Sequence, residues 1–93
     1  MELELRFFAT FREAVGQKTI TREYEGDKIT VGEALSRLEA EFDGLEGALL
    51  ADGEIQEMLS ILKNGRGVVH MDGTETGLED GDTLSVFPPV AGG

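Results

Sequence analysis

Thr30-Val31-Gly32-Glu33-Ala34-Leu35-Ser36-Arg37-Leu38-Glu39-Ala40-Glu41-Phe42 is the stretch around which the rest of this chain is organised. Its first four residues carry the Thr-x-x-Glu spacing of a capping box. There the Thr30 hydroxyl accepts from the Glu33 N–H while the Glu33 carboxylate reaches back to the Thr30 N–H. Val31, Ala34, Leu35, Leu38 and Phe42 then recur at helical spacing and form one apolar stripe, with Glu33, Arg37, Glu39 and Glu41 mostly away from it. Gly44 stands where a left-handed C-terminal cap is wanted. The reading is one amphipathic helix with a single face to bury, and such a face needs a sheet.

Strand patterns lie on both sides. Glu2-Leu3-Glu4-Leu5-Arg6-Phe7 alternates polar and apolar, so Leu3, Leu5 and Phe7 share one face of a strand. Thr19-Ile20-Thr21-Arg22-Glu23-Tyr24 is β-branched and aromatic and is closed by Gly26-Asp27. The residues between these runs, including Gly16, read as a turn that makes the two strands a hairpin. Residues 45–58 mix Gly47 and Gly53 with scattered anchors, Leu45, Leu49, Leu50, Ile55 and Met58, and are compatible with a short helix but with no definite element. Leu59 to Lys63 and Gly67 to Met71 flank Asn64-Gly65, a tight-turn dipeptide, and read as a second hairpin. Asp80-Gly81-Asp82 is a further turn, and Thr83-Leu84-Ser85-Val86-Phe87 is a last strand. Pro88-Pro89 ends the sheet because proline has no N–H for a ladder. The order β-β-α-β-β-β predicts an α+β domain, a mixed sheet packed on one main helix, which is the order of a β-grasp.

A chain of 93 residues holds one core, so residues 1–87 are expected to form a single domain and residues 88–93 a tail. Eight Lys+Arg against nineteen Asp+Glu give a formal net charge of -11. Such a surface repels phosphates and anionic lipids, so nucleic acid and membranes are not expected as partners and a charge-selected partner is basic. The acid is spread along the chain rather than gathered in one run, and its self-repulsion is relieved by screening, which points to a salt-rich, halophilic setting. Met1-Glu2-Leu3-Glu4 lacks the basic and apolar regions of a signal peptide, and the chain holds no apolar run near the roughly 20 residues of a membrane span. A soluble, cytoplasmic protein is expected.

Catalytic classes fall away in turn. Cysteine is absent, which excludes thiolate metal sites, iron–sulfur clusters and cysteine nucleophiles. The one histidine, His70, falls in a strand pattern and is assigned no role, and a multi-histidine metal site cannot be built. Asn64-Gly65-Arg66-Gly67 lacks the Gly-x-x-x-x-Gly-Lys pattern of a phosphate loop and reads as a turn. No Asp/Glu pair stands apart as a general acid and base. The chain is therefore not read as an enzyme, and no metal or permanently bound cofactor is expected.

The C-terminus is different. In Phe87-Pro88-Pro89-Val90-Ala91-Gly92-Gly93, a stiff diproline is followed by two residues without Cβ, a slender end able to thread a narrow channel. Its α-carboxylate, with an ordinary pKa of about 3.3 to 3.7, is ionised at neutral pH and a poor electrophile, so a partner must activate it. Strand alternation adds a docking surface. Phe8 falls on the side of Glu4 and Arg6, and Phe87 on the side of Thr83 and Ser85, opposite the buried set. If the first and last strands are neighbours, Phe8 and Phe87 form one aromatic patch beside the tail, joined by Leu62 and continued by Pro88, Pro89 and Val90.

Leu5-Arg6-Phe7-Phe8-Ala9, Phe11-Arg12-Glu13-Ala14-Val15-Gly16, Asp80-Gly81-Asp82 and the Phe-Pro-Pro-Val-x-Gly-Gly ending together resemble the MoaD/ThiS-like family of ubiquitin-like sulfur carriers. The resemblance spans nearly the whole chain and extends to the small archaeal modifier proteins, with the acidity fitting a haloarchaeal member. It implies a β-grasp whose Gly93 carboxylate, followed back to Gly92, is adenylated by an E1-like enzyme that uses ATP. In the sulfur-carrier branch a persulfide sulfur displaces AMP, and the resulting thiocarboxylate serves the large subunit of molybdopterin synthase. In the modifier branch a lysine of a target protein attacks the activated Gly93 carbonyl to give an isopeptide bond. Lys18, Lys28 and Lys63 are candidates to be modified themselves. The competing reading is a β-grasp interaction module that acts only through its sheet face.

Overall fold

The computed structural model describes residues 1–89. Its main sheet contains β1 (Glu2–Phe7), β2 (Thr19–Glu23), β6 (Ser60–Lys63), β7 (Arg66–Gly67) and β9 (Thr83–Phe87), in the order β2-β1-β9-β6-β7. The central pair, β1 and β9, is parallel, with Leu5 opposite Leu84 and Phe7 opposite Val86, while the flanking pairs are antiparallel. Two small antiparallel pairs stand apart, β3 (Lys28–Thr30) with β8 (Gly77–Glu79) and β4 (Leu50–Ala51) with β5 (Glu54–Ile55). Helix α2 (Val31–Glu41) lies across the inner face of the main sheet. Its Val31, Ala34, Leu35 and Leu38 are buried in one cluster with Leu3, Leu5, Phe7, Leu84 and Val86. A mixed sheet with a parallel first–last pair, closed over one main helix, is the β-grasp that the element order implies.

The helix starts where the capping box places it, with the Glu33 N–H donating to Thr30 Oγ1 at 3.1 Å. The Glu33 side chain remains exposed rather than turning back. The cap assigned to Gly44 is not there. Helix α2 closes at Phe42, whose N–H donates to the Leu38 carbonyl at 3.0 Å, and Gly44 lies inside a 3-10 turn, Asp43–Leu45, without a positive φ. What this position requires is space, since a Cβ built on Gly44 would lie 2.7 Å from the Ala14 Cβ. Gly44→Ala is therefore expected to force the two segments apart and to destabilise the fold by about 1–3 kcal/mol, the usual range for overpacking, read as a lower urea midpoint.

Ala14 belongs to an element that the strand reading passed over. Residues Ala9–Val15 form a helix, α1, rather than a simple turn, so β1 and β2 are antiparallel neighbours joined through a helix. Its inward face is Phe11, Ala14 and Val15, and Gly16 at φ 87° supplies the left-handed cap, its N–H donating to the Arg12 carbonyl at 2.8 Å. Residues 45–58 hold no further α-helix. They carry the β4–β5 hairpin instead, turned at Asp52 (φ 54°) and Gly53 (φ 81°). One carboxylate oxygen of Glu39 accepts the N–H groups of Leu49 and Leu50, both at 2.8 Å, and so fastens this region to α2.

The Asn64-Gly65 hairpin forms, with φ of 50° and 85°, but its second strand stops after Gly67 instead of running to Met71. Val68–His70 is a 3-10 turn. Val68 is drawn into the core at 1% exposure while Val69 is 80% exposed, an arrangement that meets the core with one side chain where a strand would have met it with two.

The hairpin is tied to β9 through Asn64 and Asp82. Asn64 Oδ1 accepts from the Thr83 N–H at 2.8 Å and its Nδ2 donates to Asp82 at 3.0 Å. Burial alone would raise the Asp82 pKa, but the Glu79 N–H at 2.8 Å, Asn64 and the Lys63 ammonium at 3.7 Å outweigh it and hold the carboxyl below its ordinary value. A carboxyl depressed in the folded state stabilises the fold above its unfolded pKa, and that contribution is lost as pH falls through the lower folded value. Stability should therefore decline on acidification from about pH 4 downward partly through this group, and Asp82→Asn should flatten the decline in that window in urea titrations at stepped pH.

Candidate functional site

The outer face of the sheet is built by its register. Leu62 pairs with Ser85, Ser85 with Arg6, and Arg6 with Thr19, so these four residues form one row across the sheet. The next row toward the end of β9 is Ser60 opposite Phe87. Because Phe7 is level with Val86, Phe8 and Phe87 follow side by side, and their rings stack at 4.0 Å between centroids with 8° between planes. Phe8 is held extended (φ -130°, ψ 150°) immediately before α1, and Ala9 takes φ 51° to start that helix. The strand-period argument that puts both phenylalanines on the outer side is thereby realised as a stacked pair.

Phe8, Phe87, Leu62, Pro88, Pro89 and Met58 line an open groove of about 610 Å³, completed by Ala9, Thr10 and Ser60. Among the described residues no ionisable side chain lines it, in a chain with nineteen acids. In β1, Arg6 and Glu4 pair with each other at 3.0 Å. The groove thus offers chiefly apolar contact, with the Thr10 and Ser60 hydroxyls as its polar groups, which suits docking of a partner's apolar surface. The diproline enters it directly from β9, which places the groove four residues from the chain end. Val90, Gly92 and Gly93, the other residues singled out at the C-terminus, lie outside the described residues.

Met58 is the large apolar groove residue that the sequence does not mark, beside the smaller Ala9, Thr10 and Ser60. It is 76% exposed and holds φ 74°, a left-handed conformation uncommon for a residue with a side chain. Its only sequence signal was an apolar residue in a segment without period.

The three candidate lysines differ in their surroundings. Lys18 and Lys28 are exposed. Lys63 is held, its Nζ donating to the Gly77 carbonyl at 2.8 Å beside Asp82. His70 is exposed in its 3-10 turn. Among the described residues no group of three or more His, Asp or Glu side chains is arranged to hold a metal ion, and no helix is long and apolar enough to cross a membrane.

Residues 5–93 match the ThiS family. Small archaeal modifier protein 3 of Haloferax volcanii is 63% identical over 93 residues, 100% of this chain and 100% of that protein. The sulfur carrier protein CysO of Mycobacterium tuberculosis is 33% identical over 81 residues, 84% of this chain and 83% of its own. The solution structure of a Haloferax volcanii protein, 63% identical, superposes with a TM-score of 0.90 over 100% of this chain and 87% of that one.

Proposed function

Since the chain belongs to the ThiS family, whose members similar to it include a modifier and a sulfur carrier, we propose that it is a ubiquitin-like carrier activated at Gly93 by an E1-like adenylating enzyme. The observation that carries this reading is the uncharged groove of Phe8, Leu62 and Phe87, from which Pro88 and Pro89 lead toward the terminal Gly-Gly. A partner seated there holds the chain by its apolar face while the end reaches the partner's active site. The Gly93 carboxylate attacks the α-phosphate of ATP and pyrophosphate leaves. A persulfide sulfur or the amine of a target lysine then attacks the acyl carbon and AMP leaves: the first gives an acyl disulfide that a thiol cleaves to the thiocarboxylate, for delivery to the large subunit of molybdopterin synthase, and the second gives an isopeptide bond. ATP is bound and used by the enzyme, and this chain supplies the carboxylate and the docking face.

The modifier branch has the closer support, because the relative matched over its full length at 63% identity is a modifier protein. Lys18 and Lys28 are the accessible candidates for modification of the chain itself, and Lys63 is engaged within the fold.

The test is ATP–pyrophosphate exchange with the purified E1-like enzyme. Phe87→Ala removes one of two half-buried stacked rings that lie outside the core cluster. It is expected to raise the KM for this chain about tenfold or more while kcat changes little, the signature of lost docking. An unchanged KM would sink the groove assignment. Intact mass of the protein from its native cells separates the branches, since one sulfur in place of one oxygen marks the thiocarboxylate, and Gly-Gly remnants on lysines mark conjugation.

A further inference from the structure

A second cleft, of about 570 Å³, lies on the other side of Met58 from the tail groove. Its floor is apolar, with Ile55, Leu59, Ile61 and Val68, and Val69 stands on its wall. Val69 at 80% and Met58 at 76% are the most exposed large hydrophobic side chains among the described residues, and both border this cleft. Gly67 forms part of the lining at φ -64° and ψ 125°, a conformation open to any residue. Among the described residues the ionisable side chains around the cleft are Glu54, Glu57 and His70, and no lysine or arginine lines it. An apolar floor with an acidic rim matches an aliphatic side chain flanked by cations. The same charge argues against a second copy of a chain carrying -11, and against phosphate or anionic lipid.

We propose that this cleft is a docking site for a protein segment that presents an aliphatic side chain between lysines or arginines, a surface distinct from the tail groove and independent of activation at Gly93. Met58, Ser60 and Leu62 line both depressions and form the ridge between them.

The test is an amide-resolved NMR titration of the full chain with a synthetic peptide containing one leucine flanked on each side by two lysines, and with the same peptide carrying serine for leucine. The expected result is shifts confined to residues 54–61 and 67–70, and binding about tenfold or more weaker for the serine peptide, as the loss of one buried aliphatic side chain implies. Val69→Ser and Glu57→Lys should each weaken the leucine peptide. Gly67→Val should do the same by filling the cleft, since the nearest atoms to a Cβ there, on His70, Val69 and Leu62, lie at 3.5 to 3.9 Å, ordinary contact distance. Unchanged spectra elsewhere show that these variants are folded. Absence of binding, shifts spread over the acidic surface with equal affinity for both peptides, shifts centred on Phe8 and Phe87, or indifference to all three substitutions would each overturn the proposal. Failure of adenylation in the exchange assay bears on the tail alone and leaves this result readable.

Discussion

Removing Gly92 and Gly93 should reduce adenylation by the E1-like enzyme to background while leaving the unfolding curve of the chain unchanged. The two residues follow a diproline that already lies beyond the last strand, and among the described residues none after Val86 belongs to the core cluster. Truncation takes away the reacting carboxylate and places Ala91 at the end, so the new carboxylate is two residues short of the old position and carries a Cβ. Near-attack geometry tolerates little displacement, and an error of about 1 Å can cost roughly 100-fold in rate. The measurement is pyrophosphate exchange beside thermal unfolding of the same sample. Retained exchange would refute activation at Gly93 and favour a module that works through its sheet face alone. Loss of both exchange and fold would assign the tail a structural role that the core does not suggest.

Phe7→Ala should have the largest effect on stability. Phe7 is fully buried, packs edge-to-face on Phe42 at 6.4 Å, and sits in the parallel β1–β9 pair at the centre of the sheet. Truncating a buried phenylalanine costs about 3–5 kcal/mol through lost burial and the cavity left behind. Small domains have a total stability at the low end of about 5–15 kcal/mol, so the variant should be close to unfolding at ambient temperature. Chemical unfolding of the two proteins under the same salt checks this. Phe8→Ala, one residue along and on the opposite face, should cost much less stability and act on docking instead. The contrast between adjacent phenylalanines separates packing from recognition.

That contrast was legible in the sequence because a strand's period of two leaves no freedom. Once Leu3, Leu5 and Phe7 face inward, Phe8 must face out, and the same holds for Phe87 beside Val86. The helix from Val31 was legible for the equivalent reason, a cap followed by a long stripe. Short elements were not. Helix α1 spans seven residues with one fully buried anchor, Phe11, and its first residue is an alanine at positive φ that no propensity would select. Strands of two or three residues, such as β3, β5 and β8, hold too few side chains to show a period at all. The end of β7 was missed because Gly67-Val68-Val69-His70-Met71 has β-branched residues suited to a strand, yet the core accepts only Val68 and the chain winds into a 3-10 turn to supply it. Gly44 does not serve as a cap. A glycine after a helix usually supplies a left-handed φ, and here it supplies clearance for Ala14, which becomes visible only when two distant segments are brought together.

The tail groove has a thermodynamic consequence that follows from its lack of charge. At about 1 M salt the Debye length shrinks to roughly 3 Å, so long-range attraction between an acidic protein and a basic partner is largely extinguished. Apolar association responds in the opposite direction, because salts excluded from protein surfaces strengthen burial. A complex closed over Phe8 and Phe87 should therefore hold or tighten as brine concentrates, whereas contacts along the Glu54 and Glu57 rim should loosen. The two depressions beside Met58 would then answer brine differently, the tail groove gaining through apolar burial alone and the cleft gaining on its apolar floor what it loses along its acidic rim.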